Sequence, residues 1–100
     1  MYYTYILKSL KTPGAVYIGS TADIKRRLLE HNKGESIYTN KHRPWKIESF
    51  FAFPNTEMAE NFEKYLKSNS GKAFMSKRLT SQDFNQQRNL YKNGRKPLLQ

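Results

Sequence analysis

Apolar and polar positions follow two periods along this chain. Residues 2–8, Tyr-Tyr-Thr-Tyr-Ile-Leu-Lys, are dense in strand formers; Thr12-Pro13-Gly14 interrupts them, and a second strand follows from about Ala15 to Gly19. A short Pro-Gly connection between two strands predicts an antiparallel hairpin. At period two, Tyr3, Tyr5 and Leu7 share one face of the first strand, and Tyr17 and Gly19 share one face of the second. Tyrosines from both strands therefore converge. From Ile24 the spacing becomes helical, with Thr21 or Asp23 as cap and Asn32 with Gly34 as the stop. A loop from Asn32 to Pro44 leads to a third strand over residues 46–53, ended by Pro54. Asn55 or Thr56 then caps a helix that runs to about Ser68, with acids early and Lys64 and Lys67 late, as the macrodipole favours. Asn69-Ser70-Gly71 ends it, and Lys72 to Leu79 predicts a further short helix.

Both long helices carry charge where a core-facing stripe should be apolar. Positions 24, 27, 28 and 31 lie on one helical face and read Ile24, Arg27, Leu28, His31. Positions 59, 62, 63 and 66 read Ala59, Phe62, Glu63, Leu66, while Glu60, Lys64 and Lys67 fall on the opposite, solvent side. An uncompensated buried charge costs several kcal/mol, so Arg27 and Glu63 each need a partner or a wet cleft. If both helices lie on one side of the sheet, Arg27, His31 and Glu63 meet beside Tyr5 and Tyr17. A structural Arg27–Glu63 salt bridge is the plain alternative.

Composition adds the partner class. One hundred residues with 37% hydrophobic positions make one folded domain, and a formal charge of +10 points to a polyanion, nucleic acid before an anionic membrane. No apolar run approaches a membrane span, the first residues do not read as a secretory signal, and there are no cysteines for disulfides, thiolate metal sites or nucleophiles. The expected compartment is the cytoplasm. The loop between the first helix and the third strand mixes cations, rings and hydroxyls: Lys33, Tyr38, Thr39, Lys41, His42 and Arg43. That is the composition of a nucleic-acid contact surface, with Trp45 turned into the core beneath it. From Ser81 the chain becomes a basic, polar tail, helical near Phe84 to Tyr91.

A carboxylate, a guanidinium, an imidazole and two phenols in a basic domain suit phosphodiester hydrolysis. A carboxylate holds one Mg²⁺ or Mn²⁺ through oxygen, an arginine binds phosphate bidentately, and a phenol or imidazole takes the proton of the attacking water. A phenol serves only where positive charge favours phenolate, since its free pKa is about 10. On the residues alone, a nuclease, a non-catalytic nucleic-acid binder and a structural Arg27–Glu63 pair all remain open.

The order Tyr3-Thr4-Tyr5, Tyr17-Ile18-Gly19, Arg27 and His31 in one helix, and Glu63 in a later one resembles the GIY-YIG nuclease superfamily. The likeness to its small stand-alone bacterial members extends through Tyr-Ile-Leu-Lys-Ser at 5–9, Gly-Ser-Thr at 19–21, Arg-Pro-Trp-Lys at 43–46 and Glu-Lys-Tyr-Leu-Lys at 63–67. The resemblance spans residues 2 to about 79. It implies an α+β fold, a three-stranded antiparallel sheet flanked by helices, over residues 1–80 with a tail at 81–100. It also implies a divalent-metal-dependent endonuclease acting on nucleic acid, DNA before RNA, through one Mg²⁺ or Mn²⁺. Position by position, Tyr17 becomes the general base with Tyr5 or His31 assisting, Arg27 the phosphate ligand and Glu63 the single metal ligand. Tyr3 and Thr4 stand where the first motif has Gly and Ile, and Ser20 where some branches carry lysine. The family often couples the nuclease to a targeting domain, so target choice here falls to the basic loop, the tail or a partner protein. A nucleic-acid-binding module with little turnover is the alternative on the same fold.

Overall fold

The computed structural model describes residues 1–79. The hairpin forms as the pattern predicts: β1 (Tyr2–Ser9) pairs antiparallel with β2 (Val16–Thr21), placing Tyr5 opposite Gly19 and Leu7 opposite Tyr17. β3 (Trp45–Phe53) pairs antiparallel with the other side of β1, with an irregularity between Ile6 and Leu7. The sheet order is β2-β1-β3, which leaves β2 as an edge strand.

Helix α1 (Ile24–Asn32) starts where Asp23 accepts the Arg26 N–H at 3.1 Å. Thr21, the other cap expected from sequence, ends β2 instead and accepts the Asp23 N–H at 3.1 Å. Gly34 stops the helix at φ 83°, its N–H returning to the His31 carbonyl, a conformation that a side chain would strain. Helix α3 (Thr56–Lys67) starts on Asn55, which accepts the Met58 N–H at 2.9 Å.

Alternation of side chains along β1 divides the core in two. Ile6 packs with Val16, Ile18, Leu66 and Met75 on the side covered by α3 and α4 (Asn69–Arg78). Tyr5 and Leu7 pack with Trp45, Tyr17, Leu28 and Ile47 on the side covered by α1. The helices therefore lie on opposite faces of the sheet, not on one side. Trp45 is 2% exposed, in the core as expected.

β2 runs to Thr21, past the expected end at Gly19, and two connections also differ from the sequence expectation. The connection from Asn32 to Pro44 contains a short helix, α2 (Ile37–Asn40), held by Trp45, whose indole N–H donates to the Thr39 carbonyl at 2.9 Å. Asn69-Ser70-Gly71 does not end α3 but opens α4: Ser68 accepts the Gly71 N–H at 3.1 Å and caps the new helix. Gly71 is there for close approach, since a Cβ would overlap the Tyr65 carbonyl. The tail at 81–100, with its expected helix near Phe84 to Tyr91, lies outside the described residues. Among the described residues no helix is long and apolar enough to cross a membrane.

Candidate active site

Three elements converge on His31. Its Nε2 lies 3.0 Å from the Tyr5 hydroxyl and its Nδ1 2.8 Å from the Thr39 hydroxyl. His31 and Thr39 are fully buried and Tyr5 is 2% exposed. The donors run consistently in one direction: Tyr5 O–H to Nε2, Nδ1–H to Thr39, and the Thr39 hydroxyl toward the Ser36 carbonyl at 3.5 Å. Gly19 makes this possible. A Cβ on Gly19 would stand 2.6 Å from the Tyr5 hydroxyl oxygen and 2.8 Å from its ring carbon, so a larger residue would displace the phenol.

Burial, helped by Arg27 and opposed by Glu30, pulls His31 down to about 4, so the imidazole is neutral at pH 7, with one ring nitrogen donating and the other accepting. Burial, with Tyr17 beside it, raises Tyr5 well above the ordinary phenol range despite the nearby Arg27 guanidinium, and Tyr5 stays protonated. Tyr17 is half-buried, its ring 4.7 Å from that of His31 and 6.2 Å from that of Tyr5.

The charged members come from both faces of the sheet. Arg27, on α1, donates to Glu30 at 2.8 Å and also faces the Tyr5 hydroxyl; the Glu30 bond is the main reason its pKa is raised. Glu63, on α3, reaches the β2 edge from the other side, and its charge is felt at Tyr5. Ser20 donates to its Oε1 at 2.6 Å and Lys67 to its Oε2 at 2.7 Å. The structural Arg27–Glu63 bridge is thus replaced by Arg27–Glu30 and Glu63–Lys67, and Lys67 is no idle solvent charge. The i, i+4 spacing of Glu63 and Lys67 was the available signal for that pair. Ser20 and Thr39 have none: the Ser20–Glu63 bond joins elements far apart in sequence, and the His31–Thr39 bond crosses a turn whose helix the hydropathy pattern does not show.

Glu63 has the chemistry for a hard cation. Mg²⁺ keeps several waters and takes one or two carboxylates plus substrate oxygen, so a lone, partly exposed carboxylate that already gathers a cation fits it. Among the described residues no group of three or more His, Cys, Asp or Glu could form a protein cage.

The basic connection is divided in its roles. Lys33, Lys41 and Arg43 are exposed, and Tyr38 is 47% exposed. His42 is structurally engaged: its Nδ1 meets the Thr12 hydroxyl at 3.0 Å and its carbonyl accepts from Ser9 at 2.6 Å, tying the connection to the hairpin loop. Arg43 donates to the Asn32 carbonyl at 3.3 Å.

Residues 1–79 match the GIY-YIG catalytic domain. The chain belongs to the GIY-YIG family. It is 47% identical over 68 residues to the structure-specific endonuclease subunit slx1 of Schizosaccharomyces pombe, covering 62% of this chain and 25% of that protein. The subunit of the same name from Malassezia globosa is 42% identical over 67 residues, covering 63% of this chain and 15% of its own. The match thus spans a quarter or less of these two relatives. The solution NMR structure of the UPF0213 protein BH0048 from Bacillus halodurans is similar at 32% identity and a TM-score of 0.46, covering 76% of this chain and 82% of that one.

Proposed function

We propose that this GIY-YIG protein is a divalent-metal-dependent endonuclease that hydrolyses phosphodiester bonds in DNA. The observation that carries the reading is the clamped carboxylate of Glu63, set at the β2 edge beside the Tyr5–Tyr17 pair in a chain of charge +10. The relatives named as endonuclease subunits support it, and the word subunit suits target choice by a partner protein.

In this reading Glu63 holds one Mg²⁺ or Mn²⁺, which supplies stabilisation of the charge that develops at phosphate. Arg27 binds the scissile phosphate, giving up part of its bond to Glu30. Tyr17 takes the proton of the attacking water as the new P–O bond forms and the old one breaks. Tyr5, kept protonated, and His31, kept neutral with both nitrogens bonded, position the phenol rather than act as the base. Arg27 and Lys67 both lie beside Tyr17. Lys33, Lys41 and Arg43 add phosphate contacts along the strand.

The test is cleavage of labelled single-stranded DNA, duplex DNA and RNA with Mg²⁺, Mn²⁺ or EDTA, comparing wild type with Glu63→Ala. Metal-dependent DNA cleavage is expected, falling about 1,000-fold in the variant (~4 kcal/mol), with DNA affinity largely retained. Tight binding without cleavage of any substrate by wild type would instead identify a binding module. Cleavage that survives EDTA would overturn the metal assignment.

A further inference from the structure

The edge of β2 opens onto a groove of about 270 Å³ lined by Val16, Tyr17, Ile18, Tyr38, Lys67 and Lys72. Its two walls differ in chemistry. From α2 comes the ring of Tyr38, 6.0 Å from the ring of Tyr17 and 5.5 Å from that of His42. From α3 and α4 come Lys67 and Lys72. The floor is apolar, with Val16 and Ile18 only 7% and 5% exposed. Packing explains one side of Tyr38 and leaves the ring 47% exposed. A flat ring facing two cations across an apolar floor complements an aromatic base joined to a phosphate.

The groove is continuous with the catalytic centre. Tyr17 lines both, and Lys67 is bonded to Glu63 at 2.7 Å while it lines the groove. A strand whose scissile phosphate lies beside Tyr17 and Glu63 therefore has this groove next to the cut. Resting on the nuclease reading for its position, we propose that this groove is a nucleotide subsite: the base next to the cut stacks on the open face of Tyr38, and Lys72 holds its phosphate. The +10 charge favours this occupant over a peptide strand added to the β2 edge.

The test uses the full chain and DNA carrying one abasic residue at successive positions around the cut. One position is expected to lower kcat/KM about tenfold for wild type and for Tyr38→Phe. Tyr38→Ala should lose about as much on intact DNA and no longer respond to that abasic position, the signature of a shared contact. Lys72→Gln should weaken binding to all sequences alike and reduce the salt dependence by about one phosphate contact. A second readout needs no turnover: 2-aminopurine, scanned through the same positions in DNA bound to Glu63→Ala, should be quenched at one of them when Tyr38 is present. A flat abasic scan with active cleavage, or no position-specific quenching, would overturn the subsite and leave the nuclease standing. Quenching by Tyr38 in a protein that cuts nothing would uphold the subsite and overturn the nuclease. If Tyr38→Ala fails to fold, Tyr38→Leu replaces it as the ring-free comparison for both the abasic scan and the quenching.

Discussion

On the α1 face, Tyr5, His31 and Thr39 are buried to 2% exposure or less, and each bond of 2.8–3.0 Å ends on another member of the chain. At the β2 edge, Ser20, Glu63 and Lys67 make bonds as short, 2.6 and 2.7 Å, but the side chains of Glu63 and Lys67 are 22% and 53% exposed. Similar lengths carry different energies. Breaking the buried chain strands polar groups away from water, whereas the edge carboxylate exchanges a lysine for solvent or a cation at little cost. The first cluster fixes geometry, and the second is open to a ligand.

The sharpest way to break that comparison is to delete one member of each. His31→Ala should cost about 3–5 kcal/mol, because it leaves a cavity and orphans the Tyr5 and Thr39 hydroxyls. Glu63→Ala should stay within about 1 kcal/mol of wild type, since its bonds are partly exposed. Urea denaturation of both variants measures the difference. Comparable losses would mean that the edge clamp is a structural element after all.

How far these clusters were legible follows from what spacing reports. Helical periodicity is local, and it turns His31, Leu28, Ala59 and Leu66 inward as found, whereas Arg27 and Glu63, read on the same core-facing stripes, sit partly exposed at their margins. It says which side of a helix is covered, not which face of a sheet covers it. That is why the condition that α1 and α3 share one side of the sheet cannot be tested by spacing and fails in the structure, and why Glu63 meets Ser20 and Lys67 rather than Arg27. The α2 turn inverts hydropathy altogether: Ile37 is 89% exposed and Thr39 fully buried, because Thr39 is held by His31 and Trp45 rather than by apolar burial. No pattern rule finds such a residue. Tyr5, Tyr17 and Gly19 were visible because strand alternation and hairpin pairing act over short distances.

Acid sharpens the same contrast at a somewhat smaller scale. With His31 held at about 4 in the fold and near 6.5 in the unfolded chain, the unfolded state binds the extra proton between those values. Its stabilising contribution is therefore complete above about pH 6.5 and lost as pH falls toward 4, by about 1.4 kcal/mol per unit and about 3 kcal/mol in all. Chemical denaturation at pH 7 and pH 5 should show a loss about 2 kcal/mol greater in wild type than in His31→Gln, since the carboxylates common to both cancel. Parallel pH profiles would mean that the buried imidazole does not resist protonation.

The smallest stability effect tests the edge most finely. Ser20→Ala removes one of the two bonds on Glu63 and should cost about 0.5–1 kcal/mol, no more than an ordinary partly exposed hydrogen bond. If Glu63 holds a metal as proposed, its consequence for function is larger, because an outer partner that orients a metal ligand typically changes metal affinity by about tenfold or more. The Mg²⁺ concentration for half-maximal cleavage should rise by about that factor, with the rate at saturating Mg²⁺ near wild type and Ser20→Thr restoring the donor. Lys67→Met should move the half-maximal concentration the opposite way, since it removes the cation that competes for Oε2. Opposite shifts separate a hydroxyl that aims the carboxylate from an ammonium that occupies it. A fall in the saturated rate for Ser20→Ala would instead place the hydroxyl in the chemical step itself.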